Sequence, residues 1–270
     1  MELIEQDVAT NGVRLRVRRT GTTKPPLVFA HGIMDDGLCF LPIAEQLAGD
    51  YEIVLYDARG HGRSDPSSSD TTLVSRARDL GGLVQALHLE KPGLVGHSLG
   101  AVTVALCAGL FPDMPGRIVL EDPPPLASLL HDAAQGERWA RWREWAEADK
   151  QRSVDELVQI SRERDPNWAE AERLPWAKAK LLFSLSVFDE RRLDEVESLD
   201  RIWSQIVCPS LVITADQSRG SLLSSDAAEE LVARLPHAKH VNILGAGHNI
   251  RREQPARYLE AVREFLNAMP

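Results

Sequence analysis

The sequence predicts an α/β fold: a mostly parallel sheet of eight strands, flanked by helices and interrupted by one inserted helical segment. Three observations carry this. Short apolar runs alternate with helix-length stretches through most of the chain, which is the pattern of β-α-β units. Asn11-Gly12 separates two strand-like runs and marks a tight antiparallel hairpin. From Pro123 to about Gln205 strand signals stop, charge rises, and all six tryptophans of the chain appear.

Taken in order, Ile4–Val8 and Val13–Arg18 are the hairpin strands. Leu27–Ala30, Tyr51–Tyr56, Leu94–Gly96, Ile118–Leu120, Leu211–Thr214 and His240–Leu244 are short apolar runs suited to strands covered on both faces. Between them Leu38–Ala48, Thr72–Leu87, Leu99–Leu110, Asp226–Leu235 and Gln254–Leu266 have helical length. Pro123-Pro124-Pro125 forms a rigid entrance to the insertion, because proline continues neither a strand nor a helix interior. These boundaries divide the chain into a core domain, residues 1–122 and 206–270, and a helical insertion, residues 123–205.

Composition narrows the function classes. The 270 residues carry a net charge of -9 and no long Lys/Arg run, which disfavours a nucleic-acid partner. No stretch approaches a membrane-spanning length of apolar residues, and the acidic N-terminus is unlike a signal peptide, so a cytoplasmic protein without a membrane partner is expected. Cys39, Cys107 and Cys208 are widely spaced, read as small buried hydrophobes, and fit a reducing compartment. No His/carboxylate cluster shows ligand spacing, so neither metal nor cofactor is expected. The sequence carries no signal of oligomeric state.

The strongest chemical signal is KPGLVGHSLGAV, residues 91–102. Gly96-His97-Ser98-Leu99-Gly100 is G-x-S-x-G between an apolar strand and a small-residue helix, the context in which a sharp turn projects the serine hydroxyl above a sheet. Together with LVFAHGIMDDG, VLYDARGHGRSD and ILGAGHNIRREQP, in this order, the chain resembles the α/β-hydrolase superfamily over essentially its whole length. The resemblance implies a serine hydrolase with a cap. Ser98 would be its nucleophile and His248, in the loop after the last strand, its base. The backbone N–H groups of Ile33 and Leu99 would form the oxyanion hole. His31 reads as an anchor of its loop, the Asp57–Asp65 stretch as a structural turn, and His237 and His240 as surface or structural residues. His88 and His131 match no pattern.

The acid is less direct. The strand-seven register, Ala215-Asp216-Gln217-Ser218, places serine where the superfamily usually has aspartate. Two candidates stay open. Asp122, at the end of strand six beside the elbow strand, best meets the demand that the acid reach the far nitrogen of the histidine; Asp216 is the alternative. Glu121 should point the other way, because side chains alternate along a strand.

The implied substrate is a small molecule with an apolar or aromatic part, cleaved at an ester, amide, enamide or related carbonyl. Trp139, Trp142 and Trp145 could wall its pocket or fill the cap core, and Trp176–Phe188 is open to the same two readings. Arg138, Arg141 and Arg143, interspersed with Glu137, Glu144 and Glu147, read as a solvated face rather than a carboxylate site. Lyase or perhydrolase chemistry, or a binding module without catalysis, are the alternatives; the last is suggested by Ser218.

Overall fold

The computed structural model describes residues 1–125, 133–190 and 196–268. His131 and parts of the stretch read as a cap lie outside the described residues. Eight strands form one sheet: β1 (Ile4–Thr10), β2 (Val13–Arg19), β3 (Pro26–Ala30), β4 (Glu52–Tyr56), β5 (Gly93–His97), β6 (Arg117–Glu121), β7 (Ser210–Ala215) and β8 (Ala238–Ile243). Their order is β1-β2-β4-β3-β5-β6-β7-β8. β1 and β2 pair antiparallel around the Asn11-Gly12 turn, where both residues have positive φ (45° and 76°), as a two-residue hairpin turn matched to strand twist requires. β2 meets β4 antiparallel, and every later pairing is parallel.

β4, β5 and β7 are buried along their whole length because helices cover both faces. Alternate residues serve opposite cores. Val28, Leu94, Ile118 and Val212 pack with α2 (Leu73–Ala86) and α3 (Leu99–Leu110), after α1 (Leu41–Leu47) in the chain. Leu27, Phe29, Val95, Val119 and Leu211 join the other core.

Between β6 and β7 the chain forms α4 (Ala133–Asp149), α5 (Val154–Arg164), α6 (Glu170–Leu182) and α7 (Val196–Trp203). Ser153 caps α5 in a capping box with Glu156, which satisfies two orphan donors at that terminus. Trp168 and Trp176 bury against Leu157 and Ala177 in a small core of their own. α7 behaves differently: Leu199 and Trp203 join the main core, and a Cβ on Gly109 of α3 would meet the Ile202 carbonyl oxygen at 2.0 Å. The chain ends with α8 (Ser225–Ala233), the short α9 (Ile250–Glu253) and α10 (Pro255–Asn267). α10 matches the expected helix Gln254–Leu266, and α9 is a short additional helix before it, separated because Pro255 starts a new one.

The chain runs from β3 to β4 on one side of the sheet, then places β5 on the other side of β3. Loops leaving β3 and β5 therefore diverge at a topological switch point, where crevices form outside the carboxyl ends of strands.

Candidate active site

The elbow is dictated by close approach. A Cβ on Gly96 would sit 2.4 Å from the Gly100 carbonyl oxygen, and one on Gly100 would sit 2.0 Å from that of Ala30. Only glycine fits both positions. Between them Ser98 adopts φ 54° and ψ −119°, a region that costs a non-glycine residue about 1–3 kcal/mol. Its N–H donates to the Glu121 carbonyl oxygen at 2.9 Å, tying the turn to β6. Met34 (φ 62°) and Asp122 (φ 42°) also have positive φ, in the loops after β3 and β6.

His248 Nδ1–H donates to Asp122 Oδ2 at 2.7 Å. Asp122 is fully buried and takes three further donors: Ser221 Oγ at 2.8 Å and the N–H groups of Leu222 and Leu223. A carboxylate held this way is fixed in place, and as the acceptor of Nδ1–H it keeps the imidazole in that tautomer. Asp216 is turned to other work. Its Oδ2 accepts from Gly245 N–H at 2.8 Å and its N–H donates to the Ala246 carbonyl oxygen, bracing the loop that carries His248. Ser218 lies exposed in a 3-10 turn. Glu121 points away from Asp122, and Arg251 donates to it through both backbone and side chain.

Ser98, His248 and Ile33 line one cavity of about 630 Å³. The N–H groups of Ile33 and Leu99 have no backbone acceptor among the described residues. His97 also lines this cavity. Its Nε2–H donates to the His248 carbonyl oxygen at 3.1 Å, and the two rings lie tilted at 40° with centroids 4.7 Å apart. Burial, reinforced by Arg251 and His248, pushes His97 well below the usual histidine range, so it stays neutral beside His248.

The neighbouring histidines are structural. His31 Nδ1–H donates to the Gly32 carbonyl oxygen and Nε2 accepts from Ala58 N–H, pinning the two loops together. His240 bridges Thr214 and Glu229. Asp57 takes Arg18, Gly37 N–H and Arg63 N–H, closing the turn that follows β4.

Local sequence patterns did not reveal the hub at Asp35. This buried carboxylate accepts from Arg251 Nη2 and Arg252 Nη2, each at 3.1 Å, with Lys180 Nζ at 3.7 Å. Burial pushes the Asp35 carboxyl up, but Arg252, Lys180 and Arg251 outweigh it and hold it well below the usual range. Lys180, on α6, also donates to the Met34 carbonyl oxygen at 2.8 Å, and Arg252 reaches Glu172 at 3.2 Å. One cluster thus joins the loop after β3, the inserted helices and the histidine loop.

Asp36 beside it behaves oppositely. Burial and the nearby Asp57 outweigh Arg18 and raise its carboxyl from 3.8 to about 7. A folded-state value above the unfolded one means the folded chain keeps a proton that the unfolded chain releases. Stability should therefore fall as pH rises from 3.8 to about 7 and stay lowered beyond. Asp36→Asn retains an acceptor for Leu38 N–H. Urea titrations should find it increasingly more stable than wild type up to pH 7, with a constant gap above. A gap independent of pH would contradict this.

The other cavity walls come from the insertion. Trp142, Trp145, Trp168 and Trp176 line it, whereas Trp139 packs on Trp142 and Phe188. Arg138 and Arg141 are exposed, and Arg143 pairs with Asp189; none of the three lines the cavity. Arg152 and Arg164, not singled out by sequence pattern, do. Among the described residues no group of three or more His, Cys, Asp or Glu could hold a metal ion, and no helix is long and apolar enough to cross a membrane.

Known proteins share this architecture. A family model described as the alpha/beta hydrolase family matches residues 27–261. The chain belongs to that family. Similar curated members include a 2-(acetamidomethylene)succinate hydrolase of Mesorhizobium japonicum, 26% identical, with 98% of this chain and 96% of the relative covered. Esterase YbfF of Escherichia coli is 25% identical, covering 94% and 98%. A crystal structure of E-2-(acetamidomethylene)succinate hydrolase superposes with a TM-score of 0.78 at 22% identity, over 99% of this chain and all of that one. This alpha/beta hydrolase is thus an enzyme of the hydrolase class, as its curated relatives' names indicate.

Proposed function

We propose that this hydrolase cleaves a carboxylic ester, amide or enamide through a Ser98–His248–Asp122 triad and an acyl-enzyme. The observation that carries the reading is the Asp122–His248 bond at 2.7 Å, set beside a strained serine on the same cavity. With Nδ1 committed to Asp122, His248 has Nε2 left for proton transfer. It takes the Ser98 proton as Oγ attacks the carbonyl carbon, then returns it to the departing alkoxide or amine. Water, activated by the same nitrogen, attacks the acyl carbonyl and releases the acid. The Ile33 and Leu99 N–H groups stabilise the oxyanion formed in both halves, an effect worth about 3 kcal/mol per donor in such sites.

The insertion is read as a cap: Trp142, Trp145, Trp168 and Trp176 face the cavity and Lys180 fastens it to the loop after β3. They favour a substrate with an apolar or aromatic part. The amide and enamide bonds stay beside the ester because one similar protein is named for hydrolysis of an acetamidomethylene compound. Ser218 suggested a binding module without catalysis; with Asp122 beside His248, no observation favours that reading. Ser98→Ala should lower turnover of p-nitrophenyl acetate by about six orders of magnitude, to the assay floor, with circular dichroism unchanged. Retained turnover would exclude Ser98 as the nucleophile.

A further inference from the structure

Among the described residues, Arg152, Arg164, Lys180 and Arg252 line the cavity against two carboxylates, Asp35 and Asp149. This surplus of positive charge occurs in a chain whose net charge is -9. The four cations are not equivalent. Lys180 and Arg252 are buried and engaged with Asp35, the Met34 carbonyl oxygen, Glu172 and Asn249. Arg152 and Arg164 are free to serve something else. Their side chains are 39% and 58% exposed, and each holds one carboxylate by one edge, Arg152 Nη1 on Asp149 and Arg164 Nε on Asp165. Among the described residues nothing accepts from the Nη groups of Arg164. Its guanidinium lies over the Trp176 ring at 5.1 Å, and Lys180 stands 4.9 Å from the same centroid.

We infer that the substrate carries a carboxylate, recognised by Arg152 and Arg164 while its acyl carbonyl faces Ser98. The inference rests on the serine-hydrolase reading and names its substrate class. Half-exposed single-edge ion pairs contribute little, so a substrate carboxylate can join or displace Asp149 and Asp165 at small cost. A fork of two parallel N–H donors matches a carboxylate, and stacking on Trp176 holds Arg164 ready for it. The cations crowd one another: burial lowers the Lys180 ammonium, Asp35 opposes this, and Arg252 and Arg164 lower it further. An anion relieves that crowding. Trp145, 55% exposed on the same wall, offers a ring face to the apolar part.

The test uses two esters of near-equal size, p-nitrophenyl hemisuccinate, with a free carboxylate, and p-nitrophenyl butyrate. Wild type should prefer the hemisuccinate by about tenfold or more in kcat/KM, as expected for a charge-assisted hydrogen bond. The preference should shrink in 0.5 M salt and collapse in Arg152→Gln/Arg164→Gln. Equal rates, or a preference that survives the double substitution, would overturn the inference while leaving the hydrolase reading intact. Calorimetry of hemisuccinate binding to Ser98→Ala covers the other case. Arginine-dependent binding without wild-type turnover of either ester would sink only the hydrolase reading; binding indifferent to the arginines would sink this one.

Discussion

Asp122→Ala is expected to lower kcat/KM for a p-nitrophenyl ester by about four orders of magnitude, while Asp216→Ala costs less than about tenfold. The contrast follows from partners. Asp122 is the fully buried acceptor of His248 Nδ1–H. Without it the ring loses its tautomer and the imidazolium its counter-charge. Asp216 holds Gly245 N–H, in the loop three residues before His248, and does not touch the ring. Steady-state kinetics of both variants, with circular dichroism to certify folding, decide the matter. Loss in Asp216→Ala alone would reverse the assignment. Comparable losses in both would mean that the loop, rather than the charge, governs His248.

The largest effect on stability is expected at Asp35. Asp35→Ala leaves Arg251, Arg252 and Lys180 buried with less negative charge to face. Breaking a buried charge cluster by removing one member costs about 3–5 kcal/mol, because the remaining charges stay desolvated. Urea denaturation should show that loss, with a fall of about 10 °C in Tm for a chain of this size. A loss below about 1 kcal/mol would mean that water enters and solvates the cations. Because Lys180 also holds the Met34 carbonyl oxygen, next to Ile33, the folded fraction should be impaired in catalysis as well.

Much of this was readable in the linear chain. The strands were visible because parallel strands buried on both faces appear as short, unbroken apolar runs, and the elbow because Gly96 and Gly100 tolerate no side chain. The preference for Asp122 over Asp216 draws on the resemblance to α/β-hydrolases that carry their acid after strand six as well as on geometry: the end of β6 lies beside β5, and alternation turns Glu121 the other way. What escaped depends on long-range register. Arg251 meets Asp35 across 216 residues and Lys180 meets Met34 across 146, and no local periodicity encodes such a pairing. The tryptophans were seen as a group, yet which of them face the cavity follows from how α4, α5 and α6 lie over the sheet. Ser221, three residues beyond the conspicuous Ser218, supplies a donor to Asp122. Only the fold of the loop after β7 makes that choice.

The most direct test of the central claim is intact-mass spectrometry after incubation with a fluorophosphonate reagent, which labels activated serines. A single adduct, mapped to the peptide containing Ser98 and absent from Ser98→Ala, is the predicted result. An enzyme that turns over esters yet takes no label, or takes it on another residue, would contradict the account.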